Sequence, residues 1–484
     1  MTGSDHRTVR TPGGVLRGVA AGPDGAVSAF RGVPYAVAGR FVAPHAAPGW
    51  EGARDAGRPG PAAPQPPSRL APVTGPGGGL AQSEDCLSAN VWTPDPGGAD
   101  GGGLPVLVWL HGGGFSSGSG GEAFYDGALL AERGRMVVVT VNYRLGALGY
   151  VYVEPGSWPA DLGLLDQLAA LRWVRESAAA FGGDPDRVTL AGQSAGALSV
   201  LALLAHPAGR GLFAQAVLQS CPAGVRPHTP AEAADNGRRL AELAAHPAVG
   251  RPGEGAPRCG AVRESPGEVG REPPAHPAVG PPGEGAPRRG GLPESPGEVL
   301  RGLGLGELLD AQQALVRERA EPLSVTPPLQ LVAAGGLPAD LLAAARRDVP
   351  LLVGTARDEA RAFFPDEPAD IVADVTARRF TDGTLRLAAQ ATTACAYRFD
   401  WAPPGSPLGA CHCIELPFVF GVGEEPAGGG DGGRESAWRA APMLAGADPA
   451  DLRRLTAVVQ RAWSDFVHTG SPGWAPYPLV RSIA

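Results

Sequence analysis

The stretch RVTLAGQSAGALSVLALLA, Arg187 to Ala205, constrains the fold of this chain more than any other. An apolar run ends in two glycines that bracket one serine, Gly192-Gln193-Ser194-Ala195-Gly196, and a second apolar run follows at once. A solvated loop needs no such arrangement. A strand that turns sharply into a helix does, because a serine on a strained apex is tolerated only where its neighbours carry little or no side chain. The pattern therefore marks Ser194 as a nucleophile presented on a strained turn, with a helix beginning near Ala197 directing its positive end at developing negative charge. Gly-x-Ser-x-Gly alone carries little weight in a chain with 72 glycines. Its place between a strand and a helix is what gives it meaning.

Other short apolar runs fit buried parallel strands: 104–110, 136–142, 187–192, 216–220 and 349–355. Unbroken apolarity, rather than alternation, is what a strand covered on both faces requires. Between them lie helical patterns. The clearest spans about Asp161 to Phe181, with Leu164, Leu168, Leu171 and Val174 on one face, Asp161 as N-cap and Gly182-Gly183 as the stop. Strands alternating with helices predict an α/β fold with a mostly parallel sheet in a single domain over residues 1–484. Pro- and Gly-rich stretches at 56–80 and 94–103 read as exposed loops. A further stretch from Ala245 recurs thirty residues later, from Ala275. Two copies so poor in aliphatic residues cannot bury a stacked core, so about 245–300 reads as a duplicated, disordered surface insertion.

Composition narrows the function classes. All 41 basic residues are arginine and the formal charge is −8, which disfavours nucleic acid and anionic membranes as partners. The N-terminal stretch lacks the apolar core of a secretory signal and no run of about 18 apolar residues occurs, so the expectation is a cytoplasmic protein. Six cysteines show no credible metal spacing; Cys411-His412-Cys413 has no second ligand pair. No cofactor or metal is expected.

A serine hydroxyl needs a base and a place to put the negative charge that forms when it attacks a carbonyl. His111-Gly112-Gly113-Gly114-Phe115, directly after the 104–110 run, supplies side-chain-free backbone. The N–H groups of Gly113, Gly114 and Ala195 are the expected oxyanion donors. A phosphate loop would want a lysine after the glycines, and the chain has none.

These motifs, together with FRGVPYA (30–36), EDCLSANVWTP (84–94), VNYRLGALGY (141–150) and FGGDPDRVTLAGQSAG (181–196), resemble the type-B carboxylesterases of the α/β-hydrolase superfamily. The resemblance implies an acid in VGTARDEARAFF and a histidine in GACHCIELPFVFG, giving Ser194, Glu359 and His412 in the chain order of that fold. Glu359 follows the carboxyl end of the 349–355 strand, on the edge where Ser194 emerges, and its nearest rival is Asp358. Among the histidines, only His412 follows the acid within an apolar neighbourhood. The resemblance also implies that Ser220 supports the triad acid.

Departures from the family pattern carry expectations of their own. Gln193 is neutral where relatives often carry glutamate, which argues against cationic substrates. The usual partner of Cys86 is missing, so that thiol is expected free. Only 53 residues separate Glu359 from His412, which predicts a more open and less selective site. The leading expectation is a serine hydrolase of small carboxylic esters acting through an acyl-enzyme. Carbamate or amide hydrolysis by the same residues, and a catalytically silent binding protein of the same fold, are the alternatives. The physiological ester and the oligomeric state are not written in the residues.

Overall fold

The run Leu104–Leu110 is buried at every position, as its unbroken apolarity requires, and forms a central strand. It pairs in parallel with Val137–Val141 on one side and Gly183–Gln193 on the other. Beyond Gly183–Gln193 the parallel order continues through Gln215–Gln219, Leu351–Ala356, Ala394–Phe399 and Val480–Ile483. On the opposite flank Ser88–Thr93, Val27–Pro34, Gly14–Ala21 and Arg7–Thr11 add antiparallel strands. This computed structural model describes residues 7–98, 103–154, 158–246, 295–421, 438 and 440–484. The duplicated insertion therefore lies, apart from its two ends, outside the described residues.

Helices cover both faces of the sheet, so the predicted mostly parallel α/β architecture is what the chain adopts. Leu162–Ser177 presents Leu164, Leu168, Leu171 and Val174 to the core, and the left-handed Gly182 (φ 77°) ends the segment. Two details differ from the sequence reading. The last turn, Ala178–Phe181, tightens into a 3₁₀ helix. Asp161 stands at the N-cap position but does not cap; its φ of 54° turns the carboxylate away, and it accepts the Val332 N–H at 2.9 Å instead.

The stretch 56–80 is also less exposed than its composition suggests. Ala62, Ala63, Leu70 and Val73 are buried, and the segment lies against the carboxyl-end side of the sheet. Proline and glycine made it irregular, but its few aliphatic side chains still pin it down. Close by, the wholly buried Arg144–Asp166 pair (2.7 Å) binds VNYRLGALGY to the Leu162–Ser177 helix and to the carbonyls of Gly39 and Val42. Removing one partner of such a pair leaves an uncompensated charge and costs about 3–5 kcal/mol.

Candidate active site

Ser194 sits between the strand Gly183–Gln193 and the helix Ala195–Ala205, which starts two residues earlier than the sequence suggested. Its backbone takes φ 56°, ψ −123°, a conformation that costs on the order of 1–3 kcal/mol for a residue with a side chain. The turn is held by the Ser194 N–H donating to the Gln219 carbonyl at 2.9 Å. The flanking glycines are explained by close approach. A Cβ on Gly196 would stand 2.1 Å from the Leu110 carbonyl oxygen, and one on Gly192 would stand 2.5 Å from the Gly196 carbonyl carbon. The Ser194 turn is thus pressed directly onto the end of the central strand.

His412 and Glu359 meet across 53 residues of chain, with Nδ1 and Oε2 2.6 Å apart and both side chains wholly buried. The second oxygen of Glu359 accepts the Ala356 N–H at 2.7 Å, which fixes the carboxylate at the end of its strand. Asp358 plays a different part. Its backbone N–H donates to the Ala410 carbonyl, and its Oδ2 accepts the Ala410 N–H, each at 2.9 Å, while Arg357 Nη2 pairs with the same oxygen. The rival acid is therefore the staple that brings the histidine loop to Glu359. A carboxylate at Nδ1 requires the proton there, so Nε2 carries the lone pair. Phe363 and Phe380 pack against the imidazole at 5.1 and 5.2 Å between ring centroids.

The Nε2 side is arranged differently. Gln193 Nε2 approaches His412 Nε2 at 3.1 Å and also reaches Cys413 Sγ at 3.4 Å, so the amide donates to the lone pair. Among the described residues the Ser194 hydroxyl makes no hydrogen bond. Ser194, Ala195 and Gly114 line one narrow recess, about 20 Å³ in volume. Gly113 lines the adjoining cleft together with Gln193. Gly113 requires glycine, since its φ is 114° and a Cβ there would lie 2.0 Å from the Ser117 carbonyl oxygen. The N–H groups of Gly113 and Gly114 find no acceptor among the described residues, and the Ala195 N–H heads its helix, where no intrahelical acceptor exists. His111 supports this loop as a neutral ring. Burial lowers its pKa to about 4, Nδ1 donates to the Gly112 carbonyl at 2.8 Å, and the ring stacks on Tyr143.

Among the described residues Ser220 makes no hydrogen bond to Glu359, the acid that the resemblance has it support. Its hydroxyl donates at 3.0 Å to Oε1 of a second buried carboxyl group, Glu415, which the sequence reading passed over. Burial, and next the charge of Glu359, push the Glu415 pKa up to about 7, because two neighbouring carboxyl groups out of water do not both ionise readily. Glu415 stands three residues after His412, inside the ELPFVFG run, so a signal was present; an acidic residue opening an otherwise apolar helix reads as solvated until the fold closes over it. Cys86 is a buried free thiol, as expected. Among the described residues no group of His, Cys, Asp or Glu could hold a metal ion, and no helix is long and apolar enough to cross a membrane.

The model of the carboxylesterase family matches residues 5–252. A probable N-octanoylanthranilate hydrolase of Rhodococcus erythropolis is 36% identical over 98% of this chain and 96% of its own length. A phenmedipham hydrolase of Pseudarthrobacter oxydans is 33% identical over 98% and 91%. Among solved structures, a PNB esterase superposes with a TM-score of 0.77 at 29% identity, covering 99% of this chain and 96% of that one. With the hydrolase sheet order, the serine turn and full-length relatives in hand, the chain belongs to the carboxylesterase family, as a hydrolase of carboxylic esters.

Proposed function

We propose that the chain cleaves small carboxylic esters through an acyl-enzyme on Ser194, with His412 as general base and acid and Glu359 as the residue that orients it. The observation that carries this reading is the 2.6 Å contact between His412 Nδ1 and Glu359 in a wholly buried setting beside the strained Ser194 turn. His412 Nε2 takes the Ser194 proton as Oγ attacks the ester carbonyl, and Glu359 stabilises the imidazolium that results. The N–H groups of Gly113, Gly114 and Ala195 receive the oxyanion; one such donor is worth about 2.7–4 kcal/mol in the transition state. The tetrahedral adduct collapses, the alcohol leaves with the proton from Nε2, and water repeats the sequence on the acyl-enzyme. Gln193 donates to the same nitrogen in the resting state, so its amide withdraws when Ser194 engages the base.

A second reading keeps these residues and changes the bond cleaved to an amide or carbamate. It is favoured by the two relatives named as hydrolases of N-octanoylanthranilate and of phenmedipham rather than as esterases. A silent binding protein is disfavoured because the serine, the base and the glycine loop are all retained. An active-site-directed organophosphonate separates these cases. Labelling confined to Ser194 and absent in Ser194→Ala is expected; a folded, unlabelled wild-type protein would remove the hydrolytic mechanism.

A further inference from the structure

Arg69 takes no part in the chemistry above, yet it lines the same cavity as Ser194, Ala195 and Gly114. Its side chain is accessible to solvent, while the protein atoms crowded around it lower its pKa from the ordinary arginine value. The guanidinium carbon stands 4.9 Å from the centroid of the Phe363 ring, which faces His412 in turn. Nη2 donates to the Val325 carbonyl at 3.1 Å. Among the described residues no carboxylate pairs with Arg69, and most of its N–H donors are unused.

The rest of the lining says what kind of group this cation awaits. Leu198, Val225 and Phe380 make the cavity mostly apolar, but Gln330 also lines it. Gln330 Nε2 donates to the Arg226 carbonyl at 3.0 Å, which fixes the amide orientation, and its Oε1 is buried without a partner. A pocket meant for a plain alkyl chain has no use for a planar cation and an unmatched acceptor. The chain as a whole carries a formal charge of −8, so the long-range field does not attract anions, and any attraction has to be supplied locally. Arginine offers parallel donors matched to the two oxygens of a carboxylate, and stacking on Phe363 holds that fork in one plane.

We propose that Arg69 is a specificity-determining residue that binds a carboxylate on the acyl part of the substrate, so that the preferred substrates are esters whose acyl group ends in a free acid, such as half-esters of dicarboxylic acids. This rests on Ser194 being the nucleophile. The ion pair anchors the far end of the acyl chain while its ester carbonyl meets Ser194, and Gln330 Oε1 accepts from a hydroxyl or amide N–H carried by the same chain.

Monoethyl glutarate and ethyl pentanoate form a matched pair, differing by a terminal carboxylate in place of a methyl group. With the full chain at neutral pH, wild type is expected to favour the charged ester by at least about tenfold in kcat/KM. Arg69→Met should remove that preference while leaving the neutral ester within about threefold, so that the neutral rate serves as the folding control. Arg69→Lys should restore part of it, and raising salt should weaken it in wild type. Equal turnover of the two esters by wild type would overturn the proposal. So would an equal fall on both esters in Arg69→Met, which would assign the residue to the oxyanion or to packing. If wild type hydrolyses neither ester and the organophosphonate also leaves Ser194 unlabelled, the underlying hydrolytic mechanism fails, and this inference with it.

Discussion

The two nitrogens of His412 live in contrasting surroundings. On the Nδ1 side every partner is in place: Glu359 bridges the ring and the Ala356 N–H, and Asp358 fastens the histidine loop to the end of the strand. On the Nε2 side the lone pair is shared with the Gln193 amide, and among the described residues the Ser194 hydroxyl is unbonded and no carboxylate pairs with Arg69. The contrast teaches where preorganisation is useful. Groups that must not move are saturated and buried, whereas groups that must exchange partners during a reaction are left with capacity to spare.

The largest break in this comparison should come from Glu359→Gln. A glutamine keeps the shape but offers no negative charge to the imidazolium and no longer dictates the tautomer. Steady-state hydrolysis of a p-nitrophenyl ester is expected to fall by about 10⁴-fold in kcat with little change in KM. A loss smaller than about tenfold would mean that the closed side does not matter to the chemistry.

Glu415 tests the closed side through pH. Its pKa is raised in the folded chain to about 7 from an ordinary 4.5, so between those values the native state holds a proton that the unfolded state has released. Stability from this group is therefore present at low pH and falls as pH rises through that window, by at most about 1.4 kcal/mol per pH unit. Glu415→Gln, which stays neutral and can still accept from Ser220, should flatten the decline between pH 5 and pH 8 in urea unfolding. An unchanged slope would show that Glu415 is not the group responsible.

The smallest effect sharpens the open side. If Gln193 must release Nε2 before Ser194 can use it, one hydrogen bond of about 0.5–1.5 kcal/mol opposes the reaction. Gln193→Met should then raise kcat/KM on a neutral ester by roughly two- to tenfold. A fall of similar size would make the amide a helper rather than a competitor.

Much of this was legible in the sequence, for reasons that differ from residue to residue. The strands were visible because a doubly covered strand has no polar face to interrupt it, as Leu104–Leu110 illustrates. The Ser194 turn was visible because close backbone contact demands glycine on both sides. What local pattern could not reveal was which side chain meets which across the top of the sheet. Ser220 pairs with Glu415 rather than Glu359, Asp161 reaches Val332 rather than its own helix, and Arg69 comes from a loop whose composition read only as exposed. Each of those contacts joins segments far apart in the chain, and neither periodicity nor turn chemistry records such distances.

Convergence of these separated elements on a single reacting atom would be visible in a crystal structure of the organophosphonate adduct. Phosphorus is expected on Ser194 Oγ, with the phosphonyl oxygen within about 2.7–3.1 Å of the Gly113, Gly114 and Ala195 N–H groups. The Gln193 amide is expected to be drawn away from His412 Nε2. Phosphorus on another residue, or a phosphonyl oxygen turned away from all of those backbone amides, would contradict that convergence.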